Sequence, residues 1–105
     1  MLKADSEMLL LALLDGPPRH GYELAKLIES RSVNKLQIQA ASLYPMLYRL
    51  ERKGFIEGRW VEKPNERRRR FYKLTAAGRK MLAARRTAWN EFVNTINLVT
   101  GFDNA

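Results

Sequence analysis

Seven consecutive apolar residues, Met8 to Leu14, constrain this chain more than any other feature. A helix is expected from about Ser6 to Asp15, capped by Asp5 or Ser6, with Glu7 at the positive end of the dipole. Met8, Leu9, Leu10, Leu11, Leu13 and Leu14 then cover nearly its whole circumference. Such a helix is buried on more than one side, so the other elements have to be placed around it. Gly16-Pro17-Pro18 ends it, because proline cannot continue the hydrogen-bond ladder. The run is far shorter than the roughly 20 residues of a membrane span.

The covering elements follow in order. A second helix is expected over about Gly21 to Arg31, with Leu24, Leu27 and Ile28 on one face and Glu23, Lys26 and Glu29 outward. Ser32-Val33-Asn34-Lys35 reads as a turn and Leu36-Gln37-Ile38 as a short strand. A third helix ends at Gly54, and stepping 100° per residue gathers Leu43, Met46, Leu47 and Leu50 into one core-facing sector. Pro45 fits best in a first turn, which favours a start near Ser42; a start near Ala40 calls for a local kink. Phe55–Val61 and Arg68–Leu74 read as the strands of a hairpin turned by Lys63-Pro64-Asn65-Glu66. A fourth helix starts after Thr75 as N-cap and runs to about Thr100, where Gly101 ends it. Leu82, Trp89, Phe92, Val93, Ile96 and Val99 form its apolar stripe, interrupted by Arg85 and Arg86.

Composition narrows the chemistry. The 105 residues contain no cysteine and one histidine, His20, which leaves no thiolate or histidine cluster for a metal and no cysteine nucleophile. No cofactor is expected. The opening residues lack the basic and apolar regions of a signal peptide, so a small soluble domain of the cytoplasm is expected. The formal charge is +8, and its placement is informative. Residues 49 to 86 hold fourteen basic side chains against four acidic ones, a net of +10, including Arg67-Arg68-Arg69-Arg70. A solvated surface with no partner is the bland reading of such charge. Four consecutive arginines in so dense a cluster favour a polyanion instead, since the guanidinium fork suits phosphate oxygens and guanine edges.

Helix, helix, turn, helix and basic hairpin is the plan of a winged helix-turn-helix, a mainly α fold with a small β-hairpin. Its second helix crosses the phosphate backbone and its third enters the major groove of double-stranded DNA. The outward side of helix 3 carries Ser42, Tyr48, Arg49 and Arg52, with Tyr44 at its flank. The hairpin offers Lys63, Arg67, Arg68 and Arg69, and the start of helix 2 offers the N–H groups of Gly21 and Tyr22 to a phosphate. Because side chains alternate along a strand, one of the four arginines, Arg70, is expected to turn back toward the protein body. His20 is either a phosphate ligand or a polar residue packed at the turn. Tyr22 and Tyr44 either touch phosphates or pack beneath the recognition helix.

At these residues the chain resembles the PadR family of bacterial transcriptional regulators. Four stretches carry the likeness: His20-Gly21-Tyr22-Glu23-Leu24; Ser42-Leu43-Tyr44-Pro45 with Arg49-Leu50-Glu51; Gly54-Phe55-Ile56; and Arg67 through Gly78. Each is weak alone; their order and spacing together are specific. The resemblance implies a homodimeric repressor of the compact branch, with one C-terminal helix. Residues 1–74 would form the winged helix-turn-helix and residues 75–105 the dimerisation helix and tail. It implies an interface built by helices 1 and 4, through Leu9, Leu13, Leu82, Trp89, Phe92, Val93, Ile96 and Val99. It also implies a flat aromatic effector near Trp89 and Phe92. The chain departs from the family pattern at Gln39 and Ala40, where a serine or threonine and a proline are usual, and at Pro64-Asn65-Glu66, which replaces a glycine-rich wing turn with a stiffer one.

Self-association also follows from the residues alone, because a chain this small has few elements to cover the stripe on helix 4. Two rivals remain. A sequence-neutral architectural DNA- or RNA-binding protein shares the basic segment but needs no discriminating helix. An enzyme acting on nucleic acid needs a carboxylate cluster or a general base with a placed partner; the acids here are scattered and His20 stands alone, so no catalytic residue is assigned.

Overall fold

The computed structural model describes residues 3–102. The apolar segment lies in α1 Lys3–Leu13 and the turn after it, and α2 Gly21–Arg31, α3 Ala40–Arg52 and α4 Ala76–Thr100 pack around it. Three short strands, β1 Arg19–His20, β2 Ile56–Val61 and β3 Arg69–Leu74, form an antiparallel sheet in the order β1-β3-β2. This is the winged-helix arrangement of helices and hairpin. The core holds most of the apolar faces expected from the sequence, although Leu27 of α2 is only half-buried. Leu10 and Leu11 of α1, with Leu14 just after it, meet Leu24 and Ile28 of α2, Leu43, Met46, Leu47 and Leu50 of α3, and Leu82 of α4. Each fully buried leucine stabilises the fold by about 2–3 kcal/mol relative to exposure, and α1 with the turn after it contributes three.

Helix ends follow local chemistry where that chemistry is strong. The Nδ1 atom of His20 accepts the Glu23 N–H at 3.2 Å and caps α2, while the Thr75 hydroxyl accepts the Gly78 N–H at 3.0 Å and caps α4. At the end of α3 the Phe55 N–H reaches the Leu50 carbonyl and the Gly54 N–H reaches that of Glu51, both at 3.0 Å. That pattern requires a left-handed residue, and Gly54 supplies it at φ +80°. The same two bonds close α2, from Val33 to Ser30 and from Asn34 to Glu29. There the left-handed position is held by Val33 at φ +54°, a conformation a β-branched residue rarely adopts.

Several expectations are corrected. α1 starts at Lys3, upstream of the expected caps. The side chain of Asp5 lies outside the described residues. Ser6 and Glu7 are buried, and Glu7 pairs with Arg85 of α4 at 3.1 Å and with Lys53 at 3.9 Å. Leu36-Gln37-Ile38 forms no strand; Leu36 and Ile38 pack as coil against the core. β1 was not expected, since two residues carry no readable period; Arg19 and His20 pair with Tyr72 and Phe71. α3 starts at Ala40 rather than Ser42, with Pro45 inside it. The Gln39 carbonyl accepts from both Ser42 and Leu43 at 2.9 Å, so the first turn closes before the proline. The only bond Pro45 deletes is the one to the carbonyl of Ala41, an exposed residue.

Candidate nucleic-acid interface

The wing is placed by strand register. Ile56, Gly58 and Trp60 oppose Leu74, Tyr72 and Arg70 on the face turned to the body, while Glu57, Arg59 and Val61 oppose Lys73, Phe71 and Arg69 on the other. At the tip the Glu66 N–H donates to the Lys63 carbonyl at 3.1 Å and Asn65 has φ +63°, the signature of a type II turn with Pro64 at its second position.

Most of the expected contact residues come together. Tyr22 and Tyr44 line one cleft with Arg67, Arg68 and Arg69, closed at its sides by His20, Trp60 and Tyr72. Tyr44, Tyr48 and Arg52 line an adjoining cleft between α3 and the wing. The rings of Tyr22, Tyr44 and Tyr48 are exposed, and the Arg52 guanidinium lies 5.6 Å from the Tyr48 ring centre. Ser42 is exposed on the first turn of α3, and Lys63 stands by the wing tip beside Tyr22, Arg67 and Arg69. Arg49 differs: it is half-buried, and its Nε is enclosed with no hydrogen-bond partner among the described residues. Arg70 turns back, as strand alternation requires, and donates to Glu51 of α3.

Several side chains prepare the surface without forming it. Arg19 ties the end of α1 to the start of α2, donating to the Leu13 carbonyl at 2.9 Å and to Glu23 at 3.2 Å. His20 meets Phe71 edge-on at 5.1 Å between ring centres, and Arg69 Nη1 lies 3.4 Å from each of its ring nitrogens. His20 is thus packed at the turn with Nδ1 as acceptor, and it also lines the clefts beside Arg67 and Arg69. Burial and then Arg69 hold its pKa below the ordinary histidine value, against the opposite pull of Glu23. Burial likewise raises the Tyr72 phenol, opposed by Arg70. Gly21 leaves room for Tyr44, since a Cβ there would lie 2.7 Å from the ring. That close approach seats the Tyr44 ring against the start of α2.

Sequence reasoning missed Trp60. It is half-exposed, and Arg68 stacks over it at 4.4 Å. The available signal was the period of two from Ile56, which puts Trp60 on the body-facing side of β2 opposite Arg70.

The description "Transcriptional regulator PadR-like family" belongs to a family model that matches residues 10–84. The chain belongs to that family. An uncharacterised protein of Lysinibacillus sphaericus is 30% identical over 98 residues, covering 93% of this chain and 90% of its own. A PadR-like transcription factor from Bacteroides fragilis is 31% identical, with a TM-score of 0.78 over 92% of this chain and 91% of its own. A PadR family transcriptional regulator from Eggerthella lenta is 25% identical, with a TM-score of 0.84 over 96% and 86%. As a PadR-like transcriptional regulator the protein is a DNA-binding one, and the basic, tyrosine-lined clefts between α2, α3 and the wing are its candidate DNA surface.

The remaining expected residues of this PadR-like chain lie on α1 and α4. Leu9 and Leu13 are half-buried. Leu82, expected in an interface, is buried in the protomer's own core. Beyond it the stripe emerges: Trp89, Phe92, Ile96 and Val99 are exposed and Val93 is half-buried. The Trp89 and Phe92 rings lie 6.0 Å apart. No helix is long and apolar enough to cross a membrane, and no group of metal-binding side chains occurs among the described residues.

Proposed function

We propose that this PadR-like regulator is a cytoplasmic homodimeric repressor that reads a specific duplex and releases it on binding a flat aromatic effector. Residues 1–74 carry the DNA reading and residues 75–105 the dimer. The observation that carries the proposal is the meeting of Tyr22 and Tyr44 with Arg67, Arg68 and Arg69 in one cleft beside α3. Cations there fix the register on the phosphates, while exposed Ser42, Tyr48 and Arg52, with Arg49 reaching from its half-buried seat, face base edges and supply preference. Leu82, Arg85, Trp89, Phe92, Ile96 and Val99 alternate in steps of three and four along α4, the spacing of a helix-pairing seam. Its exposed part supports a twofold dimer, with Leu9 and Leu13 of α1 at its margin. Such a dimer would set two recognition helices about 34–36 Å apart, one turn of duplex. An effector would stack on Trp89 and Phe92 and act by binding better to a dimer whose α3 helices are out of register.

The test is selection from a randomised duplex library, followed by competition with random duplex and double-stranded RNA, and sizing at micromolar concentration. A dimer that prefers its selected duplex over both competitors supports the reading. A monomer, or equal affinity for all three nucleic acids, overturns it; equal affinity for all three points to the sequence-neutral architectural protein. Titration with flat aromatic dyes, following tryptophan emission in the wild type and in Trp89→Phe, tests the effector site.

A further inference from the structure

Arg70 behaves unlike the three arginines before it. From β3 its guanidinium crosses to α3 and donates to Glu51, passing 5.6 Å from the Trp60 ring centre and 5.8 Å from that of Tyr72. The path is open because residue 58 is a glycine: a Cβ there would lie 2.5 Å from Arg70 Nε. Glu51 stands on α3 immediately before Arg52 and one turn after Tyr48, both on the groove-facing side. Trp60↔Arg70 is the second rung from the outer end of the β2–β3 ladder, with only Val61↔Arg69 beyond it before the tip. A two-stranded ribbon is marginal by itself and twists readily. An ion pair from this rung to α3 is therefore well placed to govern where the tip lies.

We propose that Glu51, Arg70 and Trp60 form a brace that fixes the angle between the wing and the recognition helix. Arg70 and Glu51 are then positioning residues for sequence discrimination rather than DNA contacts. The inference rests on the DNA-binding reading above. Glu51 gives it a distinctive sign. A carboxylate beside a polyanion repels it, so a Glu51 with no structural task would, when neutralised, raise affinity for every duplex alike. A brace predicts the opposite for discrimination: without it the wing arginines still find phosphates, but no longer in register with the bases that α3 reads.

The experiment compares Glu51→Gln, Arg70→Met and Gly58→Ala with the wild type, using the duplex that the wild type selects and a random duplex. Melting temperature and far-ultraviolet circular dichroism report folding. The expected result is a roughly tenfold fall in the selected-to-random affinity ratio, the scale of one mismatched base pair. Random-duplex affinity of Glu51→Gln holds or rises. Gly58→Ala keeps both charges and displaces only the guanidinium, so it decides the matter if either charge variant fails to fold. The brace is overturned if folded variants keep the wild-type ratio, or if Glu51→Gln gains equally on both duplexes. A wild type that selects no duplex overturns the DNA reading itself, whereas a preference that the variants leave untouched overturns only the brace.

Discussion

Replacing Arg67, Arg68 and Arg69 together by alanine tests the wing as a phosphate clamp. None of the three is held in a buried ion pair, though Arg68 stacks over the Trp60 ring at 4.4 Å. Arg68 lies 3.6 Å from Glu62, but both side chains are more than half exposed, so that pair is worth little and yields readily to a phosphate. Arg69 leans on the His20 ring, whose pKa its charge lowers, and gains by turning to an anion. With one phosphate per arginine, the slope of log affinity against log salt should flatten by about 2.7 per protomer and about 5.4 for a dimer. Between 50 and 200 mM salt, the wild type should then lose about a thousandfold more affinity than the variant. Fluorescence anisotropy with a labelled duplex across that range measures both slopes. The triple lysine variant, which keeps the charges, should keep the slope. Parallel wild-type and alanine slopes would show that the wing does not touch the backbone, however much the affinity falls.

Three further outcomes follow from the fold. Gly78→Ala should destabilise by about 2–3 kcal/mol and lower the melting temperature by about 10–20 °C. Its Cβ would overlap the Phe55 carbonyl oxygen, which is held by the Thr75 N–H at 3.1 Å; an unchanged melting curve would refute that packing. Val33→Gly should stabilise by about 0.5–1 kcal/mol, because a valine in left-handed geometry costs about 1–2 kcal/mol and part of the gain is lost to glycine's chain entropy. Val33 is 77% exposed and buries little that could be forfeited, so a drop in melting temperature would contradict the assignment. His20→Asn keeps an N-cap acceptor without a titrating ring. With the folded His20 pKa depressed, the unfolded chain binds the extra proton, so His20 weakens the wild type as pH falls below about 6.5. Melting temperatures of wild type and His20→Asn should diverge only there, and curves parallel to pH 5 would count against the neutral cap.

How much of this was legible depended on how local each cause is. The buried face of α3 was readable because Leu43, Met46, Leu47 and Leu50 repeat at helical spacing. The bounds of α2 and α4 were readable because Thr75, Gly101 and the turn after Arg31 act over a few residues. Arg70 was singled out by strand alternation alone, but its partner was not, since Glu51 lies nineteen residues away and nothing periodic links them. β1 escaped because its two residues are recruited by the edge of β3. The start of α3 was misplaced because the proline rule weighs only the lost bond, whereas the Gln39 carbonyl had already closed the first turn. Trp60 was overlooked, and Glu7 was read only as a partner of the helix dipole, for a shared reason: their surroundings are assembled from distant segments.

Glu7 joins the two halves of the proposed function. It is a carboxylate buried in the most apolar helix of the chain, a placement that is costly unless the charge is paired. Arg85 pairs it from α4, and Lys53 approaches from the C-cap of α3. Arg85 also stands where the α4 stripe changes surroundings, one turn after buried Leu82 and one turn before exposed Trp89. If the terminal helices pair as proposed, a ligand at Trp89 that tilts α4 must either carry Glu7 with Arg85 or leave a buried carboxylate short of its partner. With only Lys53 left beside the carboxylate, the second course would cost up to about 3–5 kcal/mol, which favours α1 moving with α4. Through Lys53 and the packing of Leu10, Leu11 and Leu14 on α3, the proposed displacement would reach the recognition helix. An apolar residue at position 7 would fill the same space and stabilise the protomer as well, but it would let α4 slide on α1 without moving α3.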